Sequence, residues 1–500
     1  MKKILSIVLC CIFTISCMTF VSTANISSDK VVEPNVDMYD TQNILITINS
    51  NNRSKYDSTA LIKNVLEKED FAIKSDSLIA NVETIFDSSS RNTKSTENAA
   101  IIKIELTSDG SQQIDKLIDA LKKDKNIISA ERDYIFEIAA SANSSLVITN
   151  DTRADEQYGI TTTHANMAWA FTTGNSSVLV GVIDTGINRL HPDLNGNVNT
   201  ELSKSFIPGI TAFTDGNGHG THVAGTIGAK TNNGKGVAGI SWNVSLVSLK
   251  CFNVIGQSQN SRIISAIEYA DANGIKILNC SFGNTNSISS SENQALYTAI
   301  SNYSGIIVAA AGNNGTTTLN YPAAFNLNNR ISVAAVDSTN TLASYSNYGT
   351  TVDLAAPGSN ILSTRNTGTY ETMSGTSMAT PHVTGAVALL YAINPNYSVN
   401  NVRNLILNNT QDVASLSDKV VTGGMLNIFS TVCAANGRLV GDIDNNGVIS
   451  AADARLALRF SEGLETFTAI EKVVADVNMD GVVTSGDAQS INRMAVGLDG

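Results

Sequence analysis

Apolar residues recur along this chain in three different rhythms. In the first stretch the pattern is mixed. Residues 43–48 and 99–106 read as strands. Ile114, Leu117, Ile118 and Leu121 fall at i, i+3, i+4 and i+7, one face of a helix. Residues 127–138 return to strand character, and the polar run 87–98 reads as a loop insertion. Together these predict a small α+β unit, followed by a stretch rich in Ser, Ala, Asn and Thr up to about residue 154.

The second rhythm is one of short, unbroken apolar runs, at 178–183, 245–251, 275–280, 306–311 and 331–336. Such runs bounded by turn residues suit strands buried on both faces. Helical patterns lie between them, at 263–270 and 295–300. Alternating strands and helices predict an α/β domain built on a parallel sheet, whose working site lies at the carboxyl ends of the strands. The third rhythm is a repeat: DIDNNGVISAAD at 442–453 returns as DVNMDGVVTSGD at 476–487.

Five hundred residues are too many for one ordinary core, so several domains are expected. A formal net charge of −12 argues against nucleic acid as a partner. The start has the form of an export signal over residues 1–24. Lys2 and Lys3 precede an apolar stretch at 4–13, and Ser22, Thr23 and Ala24 supply the small residues a signal peptidase needs. A lipoprotein reading at Cys17 is weaker, because Thr14 sits where an aliphatic residue is expected. No later run reaches the ~20 apolar residues of a membrane span. Beyond the signal remain Cys251, Cys280 and Cys433, an odd set with no disulfide framework or zinc spacing. They are expected as two buried thiols at strand ends and one near a domain boundary.

Three segments carry candidate chemistry. VIDTG at 182–186 ends a buried strand on Asp184. GHGTHVAG at 218–225 surrounds His219 with small residues. SGTSMATPH at 374–382 puts Ser377 where a turn opens an apolar helix, near the positive end of its dipole. Taken singly, each has a plain structural reading: a turn aspartate, a packed histidine, a helix cap. Of the other histidines, His222 and His382 are expected to pack, and His164 and His191 to lie on the surface or in loops. There is no His-Glu-x-x-His metalloprotease pattern.

Together the three segments resemble the subtilase family of serine proteases, in the chain order Asp, His, Ser, over about residues 157–427. The resemblance implies a subtilisin-like catalytic domain over 155–435, with Ser377 as nucleophile, His219 as general base and acid, and Asp184 orienting His219. In IIVAAAGNNG at 306–315, Asn313 takes the place of the oxyanion donor, acting with the backbone N–H of Ser377. Ser281, Phe282 and Gly283 on one side and 309–312, ending at Gly312, on the other take the places of the specificity-pocket walls. Asn320 falls at the floor, and 257–259 forms an edge for extended substrate. A further calcium site is implied near Asp193 and Asn232/Asn233. The unit at 40–150 resembles the family's propeptide, which acts as the enzyme's own inhibitor, and processing is expected between about 137 and 155.

The repeat has calcium-loop spacing. Asp442, Asp444, Asn446 and Asp453, with a carbonyl from Val448, make the first set; Asp476, Asn478, Asp480 and Asp487, with a carbonyl from Val482, make the second. Ser450 and Thr484 add oxygens at loop position 9, and Gly447 and Gly481 occupy the sharp-turn position. An EF-hand usually ends its loop on Glu; here Asp ends both. Residues 439–498 resemble a dockerin, a small α-helical module, within a domain expected over 438–500. The resemblance implies two calcium ions, a cohesin module of a scaffold protein as partner, and a secreted, extracellular protein attached to a cellulosome-type complex. Its recognition pairs would be Ala451 with Ala452 and Ser485 with Gly486, and Arg459 and Arg493 occupy equivalent places.

The reading is therefore a tethered serine endopeptidase acting on polypeptides. Two others stay open: a docking protein whose protease domain is a silent spacer, and an untethered protease whose repeat only stabilises the fold through calcium.

Overall fold

The computed structural model describes residues 39–49, 62–64, 78–87, 99–107, 113–134, 144–284 and 293–498. The expected export signal, the polar run from 88 to 98 and the continuation of the strand beyond 134 lie outside these residues. The chain divides into two units, Met1–Ala139 and Ala140–Gly500.

The first unit is an antiparallel sheet in the order β2-β3-β1-β4, made of β1 (Tyr39–Asn49), β2 (Ile79–Asp87), β3 (Ala99–Leu106) and β4 (Ile127–Tyr134). Ile44, Ile46 and Ile48 alternate with polar residues along β1 and turn inward. They meet Leu117 and Leu121 of helix α1 (Ile114–Lys122), the face that its spacing picked out. Strand β2 was not anticipated, because its alternation is diluted by Asn81, Glu83 and Thr84.

The second unit is built on a nine-stranded sheet, ordered β14-β15-β11-β10-β9-β8-β5-β7-β6. Its central members are β5 (Leu179–Asp184), β7 (Ser245–Lys250), β8 (Ile277–Cys280), β9 (Ile306–Ala310), β10 (Arg330–Val336) and β11 (Leu354–Pro357). All of these pair in parallel. The edges are β6 (Lys204–Ser205), β15 (Gly424–Met425) and β14 (Gln411–Asp412), of which only β14 is antiparallel to its neighbour. Strands β9 and β10 are buried at every position, which is why their sequences run apolar without alternation. A separate hairpin pairs β12 (Ile361–Thr364) with β13 (Tyr370–Met373).

The strand order turns at β5. The chain passes to β7 on one side and to β8 on the other, so a crevice opens at the carboxyl end of β5, where Asp184 stands. Helices α2 (His219–Gly228), α3 (Asn260–Ala272), α4 (Gln294–Asn302) and α5 (Thr376–Ile393) cover the sheet. Helix α5 runs through the core, with Val383, Val387, Leu389 and Leu390 fully buried; each is worth about 1.5–3 kcal/mol. Helices α6 (Val399–Asn408) and α7 (Ile428–Ala435) complete this part.

The repeat forms α8 (Ala451–Ser461), α9 (Ala469–Ala475) and α10 (Ser485–Ala495), with Ile443, Ala457, Phe460 and Ile491 inside. It does not hang free of the catalytic part. Val473 and Val474 of α9 are fully buried in the same core cluster as Phe429 and Val432 of α7. Among the described residues no helix is long and apolar enough to cross a membrane.

Candidate active site

Three elements bring the candidate residues together. Asp184 ends β5 and is 3% exposed. His219 opens α2, and its Nδ1 lies 2.8 and 2.9 Å from the two carboxylate oxygens of Asp184. Ser377 is the second residue of α5. All three line one cleft of ≈ 350 Å³, with Phe252, Ser281, Phe282, Gly283 and Asn313.

The mounting of His219 depends on residues that sequence reasoning passed over. Asp215 is buried and accepts from the N–H of Gly218 at 2.7 Å, the N–H of Thr221 at 3.0 Å and the hydroxyl of Thr221 at 2.6 Å. It therefore anchors the first turn of α2 as an anionic cap. Thr185 donates to Asp215 at 2.8 Å and accepts from Gly220 N at 2.9 Å, tying the end of β5 to the same turn. The available signal was an acidic residue four positions before His219, in a Gly- and Asn-rich turn. Burial acts to lower the pKa of His219, but the charge and hydrogen bond of Asp184 outweigh it and leave the pKa above the ordinary 6.5.

Ser377 and Ser281 are bonded twice. The Ser377 hydroxyl donates to the Ser281 carbonyl at 3.0 Å, and the Ser281 hydroxyl donates to the Ser377 carbonyl at 2.9 Å. The second bond has a cause in the sequence. Pro381 sits inside α5 and has no N–H to give the carbonyl four residues back, which belongs to Ser377. Ser281 supplies the missing donor. The Ser377 hydroxyl thus points at Ser281.

Beside it, Oδ1 of Asn313 accepts from Thr376 N at 2.9 Å and from Thr376 Oγ1 at 3.0 Å. Its Nδ2 is thereby turned the other way. A Cβ built on Gly375 would lie 3.4 Å from that Nδ2, 3.7 Å from Ser377 N and 3.8 Å from Oδ1, and with Oδ1 already occupied by Thr376 the two nitrogens are the donors left near that region. Such a pair suits an anionic oxygen.

The adjoining cleft, ≈ 260 Å³, is lined by Phe282, Gly283, Ala310, Gly312 and Asn320, with Ser377 at its mouth. Asn320 turns inward and is 8% exposed; its Nδ2 donates to the Ala310 carbonyl at 3.0 Å. It packs so closely on Gly283 that a Cβ there would fall 2.1 Å from the amide nitrogen. Only glycine fits opposite this side chain.

The remaining histidines divide differently from expectation. His222 and His382 are buried, bonded to backbone carbonyls, and held by burial at about 4. His164 is half-buried; His191, expected at the surface or in a loop, lies in a loop but is fully buried. It packs edge-on against Tyr370, with its Nε2 2.8 Å from the Thr369 carbonyl and its Nδ1 accepting from Asp193 N. Cys251, Cys280 and Cys433 are buried free thiols, the first two at the ends of β7 and β8.

In the C-terminal repeat, Asp442, Asp444 and Asp453 bring carboxylate oxygens within 4.8 Å of one another. Asp442, Asp453, Asp476 and Asp487 are all 1% exposed or less. Burial pushes the Asp476 carboxyl up to about 6. Buried acids at this spacing, on loops turned by Gly447 and Gly481 at φ 86° and 96°, fit a hard cation that takes oxygen ligands. Val448 and Val482 lie in the loops between these acids, and Asn446 and Asp480 each form the turn through their backbone N–H. Asn478 accepts from Asp480 N at 3.0 Å. Around Asp193 the picture differs. Its oxygens accept from Val237 N at 3.0 Å and Asn233 Nδ2 at 3.1 Å, while the N–H groups of Asn232 and Asn233 bond Asp151. Those carboxylates are engaged by N–H donors.

Comparison with known proteins sets this geometry in context. The sequence profile of the subtilase family matches residues 175–429. The chain belongs to the subtilase family. Thermophilic serine proteinase of Bacillus sp. (strain AK1) is 39% identical over 277 residues, 55% of this chain and 66% of that protein. Subtilisin BL of Lederbergia lenta is 41% identical over 258 residues, 52% of this chain and 92% of that one. Thermitase of Thermoactinomyces vulgaris is 38% identical over 279 residues, 56% of this chain and 96% of that one. The dockerin type I domain profile matches residues 440–494. The expected class therefore holds: a subtilisin-like serine protease of α/β fold with a mainly parallel sheet, followed by a helical dockerin domain.

Proposed function

We propose that this subtilase is an active secreted endopeptidase, attached through its dockerin to a cohesin-bearing scaffold of cellulosome type. The observation that carries the catalytic half is the convergence on one cleft of the Asp184–His219 pair, Ser377 and the donors of Asn313 and Ser377 N. In this reading Ser377 Oγ turns from Ser281, gives its proton to Nε2 of His219 and attacks the peptide carbonyl. Asp184 accepts from His219 Nδ1 and stabilises the imidazolium. Asn313 Nδ2 and Ser377 N hold the oxyanion. His219 then protonates the leaving amine, and water releases the acyl group. Ser281, Phe282 and Gly283 form one wall along the bound substrate, so that the side chain before the scissile bond enters the cleft floored by Asn320.

In the docking half, Asp442, Asp444, Asn446, Asp453 and the Val448 carbonyl would hold one calcium ion. Asp476, Asn478, Asp480, Asp487 and the Val482 carbonyl would hold a second. Bound calcium would neutralise the buried carboxylates and so stabilise the folded module. Ala451, Ala452, Ser485 and Gly486 are exposed and free to meet a cohesin. The proposal is confined to these two loops, where four carboxylates are buried at calcium-loop spacing. The segment from residue 40 to the processing point, expected between about 137 and 155, acts in this reading as a propeptide that inhibits the enzyme until it is cleaved away.

Ser377→Ala tests the catalytic half. It should abolish peptide hydrolysis and leave the secreted chain unprocessed. Hydrolysis at the wild-type rate by this variant would overturn Ser377 as nucleophile, and no hydrolysis by the processed wild type would favour the silent-spacer reading. Binding of the secreted protein to a cohesin, released by chelator, tests the docking half.

A further inference from the structure

The two calcium loops are nearly the same in sequence but differ in what lies against them. In the first, a Cβ built on Gly447 meets nothing within 4 Å among the described residues. In the second, a Cβ on Gly481 would fall 2.9 Å from Leu146. Leu146 belongs to the segment that leads into the catalytic domain, more than three hundred positions earlier in the chain.

That segment is fastened to the second loop by a backbone bridge and by one side-chain bond. Ser144 makes an antiparallel bridge to Val482. Ser145 N donates to the Gly481 carbonyl at 3.0 Å. The Ser145 hydroxyl, in a residue 4% exposed, donates to Oδ2 of Asp476 at 2.5 Å. Asp476 is the first residue of its loop. Its Oδ2 also accepts from Gly481 N at 2.9 Å, and its Oδ1 from Asp480 N at 3.2 Å. In the first loop Asp442 keeps the corresponding two bonds, from Gly447 N at 2.9 Å and Asn446 N at 3.1 Å. The hydroxyl is what the second loop has in addition. On its other side the segment is tied to the catalytic domain, where Val147 N donates to the Asn166 carbonyl at 2.9 Å.

We propose that Ser145 is a supporting residue of the second calcium loop, supplied by the catalytic domain. Its bond fixes the carboxylate of Asp476 in the orientation a cation needs, as outer-shell partners do at metal sites generally. Linkage makes the effect reciprocal: whatever Ser145 adds to calcium affinity at that loop, calcium adds to the fastening of residues 144–147. Calcium thus clamps the docking module to the protease, through the second loop alone. The inference rests on the calcium reading of the loops. It also constrains maturation, because the clamp survives only if processing falls before Ser144, in the early part of the expected 137–155 window.

Calorimetric titration of calcium into the mature secreted chain, blocked with a serine-directed inhibitor, tests this. Wild type should show two binding events. Ser145→Ala should weaken one of them by about tenfold and leave the other unchanged, and Ser145→Thr, which keeps the hydroxyl, should restore it. Hydrogen exchange over 144–147 should slow on adding calcium to wild type. N-terminal sequencing of the same sample should find a start at or before Ser144. Two events unaltered by Ser145→Ala, both events weakened alike, or a mature start after Ser145 would each overturn the clamp. Absence of any calcium binding would overturn the loop reading itself.

Discussion

Thr376 holds Asn313 through a single atom, with its N–H at 2.9 Å and its hydroxyl at 3.0 Å both donating to Oδ1. An amide whose oxygen is occupied twice cannot flip, so its nitrogen is committed to the region in front of Gly375. The same hydroxyl accepts from Gly312 N at 3.1 Å, which links this device to the pocket wall. Asn313 itself is exposed, so its orientation comes from bonds and not from packing.

Asn313→Ala should therefore lower kcat by about 10²–10³ and change KM little, since the donor acts on charge that develops only in the transition state. Thr376→Val should lower kcat less, by about tenfold, because Asn313 is then free to turn while still present. Steady-state kinetics on one peptide substrate measures both. An equal loss in kcat and in substrate binding for Asn313→Ala would contradict the assigned role.

The pH profile should carry the signature of His219. A general base works only when neutral, and the Asp184 charge raises its pKa above 6.5. The acid limb of kcat/KM should therefore lie above 6.5, with activity lost as pH falls through it. Asp184→Asn removes what raises the pKa and leaves burial, which lowers it. The residual activity, down by about 10⁴, should show its limb at lower pH. A limb that stays in place would mean that another group titrates.

Stability should follow a different pair. Burial holds His222 and His382 at about 4, against an ordinary 6.5. Between those values the unfolded chain binds protons that the folded chain refuses. Stability is then complete above about 6.5 and falls as pH drops toward 4, by roughly 3 kcal/mol per histidine. Urea midpoints of the inhibitor-blocked protein should decline across this window. His382→Gln should lower stability near neutrality but flatten the decline. An equally steep decline in that variant would remove His382 from the account.

The parts of the fold that were legible in the sequence share one physical property. Strands β5, β7, β8, β9 and β10 are buried on both faces, so their sequences cannot alternate and stand out as apolar runs. Strands β11, β12 and β13 have only four residues each, too short for their runs to stand out, and β2 is diluted by polar residues. The candidate site was legible where chemistry fixes residue type: Asp184, His219 and Ser377, singled out by their motifs, line one cleft, and the spaced acids of the repeat lie buried on Gly-turned loops. It was not legible where position alone matters. Asp215 resembles any turn aspartate until its three bonds into α2 are seen. Nothing in the loop around His191 signals burial; the partner that packs on it, Tyr370 of β13, is far away in sequence. Nothing in Ser145 distinguishes it from its neighbours in a Ser- and Ala-rich stretch, since its partner lies 331 positions away.

Asn320, placed by resemblance at the pocket floor, is buried there and bonded. A buried amide with no partner would repel an apolar side chain by roughly 1–3 kcal/mol. Here the nitrogen is satisfied by the Ala310 carbonyl, so the repulsive part of that argument is weakened. What remains is volume. The side chain turns inward, fills the space between Gly283 and Gly312, and shortens the cleft from below. Shortening disfavours the longest rings and spares side chains of medium length, so Leu and Met peptides should exceed Phe and Tyr peptides in kcat/KM. Asn320→Gly removes the obstruction and should raise Phe and Tyr relative to Leu by about tenfold, equivalent to ~1.4 kcal/mol. Asn320→Ser, which keeps a polar group but less bulk, separates the two causes: a shift like that of glycine assigns the effect to volume. A fluorogenic series varied only at the residue before the scissile bond makes the measurement. Should Phe and Tyr already lead in wild type, with Asn320→Gly leaving the order unchanged, the floor of this cleft does not set the preference.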